Sequence, residues 1–116
     1  MPALNFKRPF AADVKSGKKR QTIRAWRKRP FRIGDTLYLY VDQRSPERRL
    51  LGVSVCRMAI SFSILELGTL WLDDCDVLPD AAEAIAQNDG FGSAAEMVEW
   101  FRSEHGLPFD GQLIMW

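Results

Sequence analysis

The chain has 116 residues, 47% hydrophobic and 27% charged, with 16 Lys and Arg against 15 Asp and Glu. Those values fit one ordinary globular domain over residues 1–116 that buries its own core. No run is apolar enough to span a membrane, and Lys7 and Arg8 interrupt the N-terminus too early for a secretion signal, so the expected location is cytoplasmic.

Residues 4–6 read as a short first strand. Pro9 suits a first helical position, Phe10 and Val14 share one helical face, and Gly17 suits a left-handed cap after Ser16. Residues 21–24 read as a strand, and 25–33 as a basic loop around Pro30. Gly34 and Asp35 turn into a strand over 36–41, where Leu37, Leu39 and Val41 alternate with Thr36, Tyr38 and Tyr40. After a polar turn at 43–47, Leu51, Val53 and Val55 alternate with Gly52, Ser54 and Cys56. The pattern resumes at Ile60, Phe62 and Ile64, and the break at 57–59 marks a bulge or a sharp bend. A strand over 69–72 leads into an acidic turn at 73–76.

The period then changes. Asp80 and Glu83 resemble a capping box for a short helix through Ala81 and Ile85, closed by a turn at Asn88-Asp89-Gly90. Ser93 and Glu96 form a second capping box, and Met97, Trp100 and Phe101 follow at helical spacing toward the core. Gly106 and Pro108 end this helix. Phe109-Asp110-Gly111 reads as a turn before a last strand, 112–116, whose Trp116 is expected in the core. The expected class is α+β, with three helices and one antiparallel sheet. A small, partly closed barrel would protect so many short edges.

Charge is strongly segregated. Residues 1–58 carry fifteen Lys and Arg against four acids, and residues 59–116 carry one Arg against eleven acids. Either the halves occupy separate faces and polarise the surface, or they pack together and neutralise one another. Eight bases and no acid fall between Gly17 and Arg32. Trp26 and Phe31 interleave with them, a pattern suited to stacking bases and gripping phosphates.

Cys56 and Cys75 do not make a disulfide framework and read as small core residues. His105 is the sole histidine, which removes the usual zinc sites, and it suits the C-terminal turn of a helix. No metal or cofactor is expected.

Thr22 and Arg24 stand two apart on a strand and share a face, whereas Ile23 and Gln21 point the other way. Lys19, at the turn into that strand, can join the Thr22 side. A threonine hydroxyl becomes a nucleophile only beside a base, and lysine serves if burial and neighbouring cations such as Lys18, Arg20 and Arg24 lower its pKa.

The opening Leu4-Asn5-Phe6-Lys7 and Pro9-Phe10, the pattern Gly17-x-Lys19-x-x-Thr22-x-Arg24, and Gly34-Asp35 resemble the ASCH domains of the PUA-like superfamily. Asp89-Gly90-Phe91, Met97, Trp100-Phe101 and the stretch from Phe109 to Trp116 are similar to the longer members. The resemblance implies a small PUA-like β-barrel with flanking helices and a cleft lined by the motif. It also implies an RNA-related role. Threonine at position 22, where many ASCH domains carry glutamate, is similar to the N4-acetylcytidine amidohydrolase branch. In that branch the threonine is the nucleophile, the lysine takes its proton, and a later glutamate donates one. Asp89 is the expected counterpart of that acid, with Glu83 and Asp76 as substitutes.

Three readings follow. The first is an amidohydrolase acting on an N4-acylated cytidine through Lys19, Thr22 and Asp89, with Arg24 holding the substrate or its oxyanion. The second is a non-catalytic or ribonuclease-type RNA-binding module in which Lys18, Arg20, Arg24, Arg27, Lys28, Arg29 and Arg32 grip phosphates while Trp26 stacks. The third is a protein-interaction domain with a polarised surface.

Overall fold

Among the described residues the chain forms eight strands in two sheets, and the second strand belongs with the last four. The computed structural model describes residues 2–116. The order is β1 (Ala3–Phe6), α1 (Arg8–Ser16), β2 (Gln21–Ala25), β3 (Thr36–Val41), β4 (Arg49–Val55), β5 (Met58–Ile64), β6 (Leu70–Leu72), β7 (Cys75–Asp76), α2 (Pro79–Asp89), α3 (Ala94–Glu104) and β8 (Phe109–Met115). Among the described residues the class is α+β with three helices, as the change of period indicates.

The single antiparallel sheet is corrected. One sheet has three strands in the order β1-β3-β4, and β1 lies parallel to β3. The other has five strands in the order β2-β8-β5-β6-β7, all antiparallel. Among the described residues the two sheets do not pair into a closed ring. The break near residue 57 is the corner where the chain leaves one sheet for the other. There Cys56 N–H donates to Asp35 O and Arg57 N–H donates to Met115 O, so two successive residues bond to different sheets.

Each sheet has its own core. Leu4, Phe6, Leu37, Leu39, Val41 and Leu51 pack with Val14 of α1. Ile23, Phe62, Ile64 and Phe109 pack with Ala86 of α2 and with Met97 and Phe101 of α3. Strand β8 serves both, because successive side chains point to opposite faces. Leu113 enters the second core, whereas Ile114 and Trp116 enter the first. Trp116 meets Phe6 edge to face at 5.7 Å, so its expected burial holds.

Further corrections are local. Cys56 is buried, but Cys75 lies exposed in the two-residue β7. The acidic turn is shorter than expected, because Cys75 and Asp76 pair with β6. Asp89 is the last residue of α2, and Phe109 to Gly111 continue β8. Pro79 starts α2 before the expected capping box, so Asp80 lies inside the first turn and Glu83 is free to accept from Ala94 N–H at 3.1 Å. At α3 the cap forms: Ser93 Oγ accepts from Glu96 N–H, and Glu96 Oε2 accepts from Gly92 N–H. No helix is long and apolar enough to cross a membrane.

Candidate functional site

Strand β2 is the edge of the five-stranded sheet, and its outer side faces the seam between the two cores. A cavity of about 300 Å³ opens there. Lys19, Thr22 and Arg24 line it from the β2 segment, and Asp89 lines it from the end of α2. Phe6 and Phe10 come from the first core's side, and Phe91, Trp100 and His105 from the helical side. The wall therefore combines aromatic rings with a polar set of Asn5, Lys7, Lys19, Thr22, Arg24 and Asp89.

Arg24 is placed by close approach of two backbones. Gly111 of β8 pairs with Ala25, and a Cβ there would fall onto the Arg24 carbonyl oxygen. Arg24 Nε donates to Thr22 Oγ1 at 3.0 Å, and Nη2 donates to Asn5 O at 2.7 Å. Its guanidinium carbon lies 5.2 Å from the centre of the Phe6 ring. The hydroxyl thus sits beside a fixed positive charge, which favours negative charge developing on that oxygen.

Lys19 is 7% exposed although it is a lysine. Its Nζ donates to Asp89 O at 2.7 Å and lies 3.7 Å from Asp89 Oδ1, with the Phe10 ring centre 5.2 Å away. Gln21 Nε2 donates to Ile85 O at 3.0 Å and to Asp89 Oδ1 at 3.3 Å. Burial pulls the Lys19 ammonium below its ordinary pKa; Asp89 opposes this and Arg24 reinforces it. Burial likewise pushes the Asp89 carboxyl up, against the opposing influence of Lys19, Gln21 and Arg24. An ion pair alone would drive both groups the other way. Desolvation outweighs it here, so the pair is drawn toward an uncharged amine and a protonated acid.

Lys19, Thr22, Arg24 and Asp89 are therefore brought together. Among the described residues no hydrogen bond joins Lys19 to Thr22. Glu83 is held by Ala94 and Asp76 lies in β7, so neither substitute acid reaches the cavity. Lys18, Arg20, Trp26, Arg27, Lys28, Arg29 and Arg32 are exposed and lie outside its lining. The Arg27 guanidinium covers the Phe31 ring at 4.5 Å, so Phe31 is buried rather than free to stack. Among the described residues, Lys19–Asp89 is the one ion pair that joins the basic and the acidic half of the chain.

No family model, curated protein or solved structure matches the chain.

Sequence reasoning missed several lining residues. Trp100 was assigned to the core, but it is 37% exposed at the cavity rim, 5.8 Å from Phe91. His105 does occupy the C-cap of α3, yet its ring also lines the cavity and stacks on Phe101 at 5.5 Å. Gln21, outside the lining, is buried on the core side as expected and there holds the end of α2. Its polarity at a core-facing strand position was the available signal. Among the described residues no group of three or more His, Cys, Asp or Glu gathers as a metal site.

Proposed function

We propose that the chain is an ASCH-like amidohydrolase that removes the acyl group from an N4-acylated cytidine. The observation that carries this reading is the convergence of Lys19, Thr22, Arg24 and Asp89 on one aromatic-walled cavity. Aromatic walls suit a flat base, and the polar cluster suits the bond that is cut.

Thr22 Oγ attacks the acyl carbonyl carbon while its proton passes to the neutral Lys19 amine. Arg24 stabilises the oxyanion that forms. The carbon–nitrogen bond then breaks, and the protonated Asp89 gives its proton to the departing N4 amine. Water then attacks the resulting Thr22 ester, giving a proton to the Asp89 carboxylate, while the Lys19 ammonium returns its proton to the departing Thr22 oxygen, which releases the carboxylic acid and restores all three groups. The direction of both shifts supports these roles, because burial favours the uncharged amine and the protonated acid. Catalytic hydrogen bonds commonly tighten only when substrate binds, so the missing Lys19–Thr22 bond is compatible with the mechanism.

The test is incubation of N4-acetylcytidine with the protein, following release of cytidine and acetate. Turnover by the wild type, lost in Lys19→Ala and Thr22→Ala, supports the reading. Turnover that ignores both substitutions removes it.

A second reading, an RNA-binding module, is favoured by one observation. Lys18, Arg20, Arg27, Lys28, Arg29 and Arg32 are exposed and form no ion pair among the described residues. RNA affinity that falls steeply with added salt supports it; a flat response counts against it.

A further inference from the structure

We propose that a groove beside the cavity holds a phosphate carried by the substrate, so that the ligand is a nucleotide rather than a bare nucleoside. The inference rests on the cavity taking the base, and it adds a subsite of its own.

The groove has a volume of about 610 Å³ and shares two walls with the cavity, Asn5 and Arg24. Its far wall is the turn that follows β3, with Asp42, Gln43, Arg44 and Ser45. A ligand whose base sits in the cavity therefore reaches this groove by passing the Arg24 guanidinium.

The chemistry of the groove suits an anion. Arg24 has five N–H donors, and only two have partners among the described residues: Nε on Thr22 Oγ1 and Nη2 on Asn5 O. Arg44 forms no ion pair among the described residues. Asp42 is the one acid in the lining, and Arg8 Nε already donates to its carboxylate at 2.8 Å. Two guanidinium groups thus flank a space whose single negative group is neutralised from outside. A ribose does not need two such groups, whereas a phosphate matches the forked donors of arginine.

The turn is also tied in place. Gln43 N–H donates to Asn5 Oδ1 at 2.9 Å, and Ser45 N–H donates to Asp42 O at 3.0 Å. Asn5 therefore links the two spaces: its backbone oxygen holds Arg24 and its side chain holds the turn that presents Arg44.

A phosphate here has two sources, the 5′-phosphate of a free nucleotide or a phosphodiester within a strand. Calorimetric titration of the full chain with cytidine, cytidine 5′-monophosphate and a trinucleotide with a central cytidine separates them, with no turnover involved. The expected result is that the monophosphate binds at least about tenfold tighter than cytidine. Arg44→Ala cuts that ratio several-fold and Arg44→Glu abolishes it. Arg57→Ala removes the same charge outside the groove and leaves the ratio unchanged. Arg44-dependent preference for the trinucleotide alone assigns the same subsite to a strand phosphate. Equal affinity for all three ligands, binding of none, or a phosphate preference that survives Arg44→Glu overturns the proposal. The amidohydrolase reading fails separately: Arg44-dependent binding of the monophosphate without hydrolysis of N4-acetylcytidine rejects the chemistry and keeps the subsite.

Discussion

Asp89 meets Lys19 twice, through its backbone oxygen at 2.7 Å and through its carboxylate at 3.7 Å. The backbone contact persists whichever partner carries the proton. The geometry therefore survives a change of charge state, as a proton-transferring pair requires. In the proposed mechanism the competent form carries one proton, held by the acid, and the two groups titrate as a unit. The dependence of kcat/KM on pH is expected to be bell-shaped. Activity falls at low pH when the amine is also protonated, and at high pH when the acid loses its proton. A profile that Asp89→Asn leaves unaltered would argue against this assignment.

Thr22→Ala is expected to lower hydrolysis of N4-acetylcytidine by about 10³-fold or more, because the attacking oxygen is gone. Thr22→Ser, which keeps a hydroxyl beside Arg24, retains measurable turnover. Steady-state kinetics on folded variants checks both, and equal activity of Ala and Ser at this position removes the nucleophile.

Stability should carry the mark of the raised Asp89 pKa. The folded value lies above the ordinary carboxylate value of 3.8, so in the window between them the native state binds more protons than the unfolded chain. The contribution is fully present below the unfolded value and is lost as pH rises through the folded one. Lys19, lowered from 10.5, acts oppositely: stability rises with pH between its folded value and 10.5. Urea midpoints measured upward from about pH 4 should fall for the wild type relative to Asp89→Asn. Parallel curves for the two proteins contradict the shift.

Gly90→Ala is expected to cost about 1–2 kcal/mol from backbone conformation alone, since Gly90 ends α2 with a φ of 104°. A Cβ there would also stand 2.8 Å from the Phe10 ring. The measured Tm should drop by at least roughly 4–8 °C. Adding Phe10→Ala relieves the collision and leaves the backbone strain.

Gln112 is buried and pairs with the basic loop, its Oε1 accepting from Phe31 N–H and its Nε2 donating to Phe31 O, both at 2.9 Å. Gln112→Leu leaves two buried backbone groups unpaired, at about 1–3 kcal/mol each. Amide exchange at Phe31 should accelerate by more than exchange within β3.

Much of this was legible in the chain. Strands β3, β4 and β5 follow from strict alternation, and α3 follows from its Ser93 cap. Thr22 and Arg24 share a face because strand geometry allows nothing else. The partner of Lys19 was harder to read. Asn88-Asp89-Gly90 has the composition of a turn, whereas Asp89 ends α2 and meets Gln21 and Lys19, distant in sequence. The two sheets were hidden for a related reason: alternation runs on either side of residue 57, and its phase cannot tell which sheet receives the next strand. Trp100 was assigned inward because helical periodicity reports a direction and not whether anything fills the space beyond it.

The site lies on a seam. Its first wall belongs to one packed cluster and its second wall to another, with β8 running through both. A repacking substitution far from the motif, in either cluster, therefore shifts one bank of the cavity against the other. In the proposed mechanism, alignment of the reacting groups depends on the joint between the two clusters, and adaptation to a new substrate has two independent places from which to start.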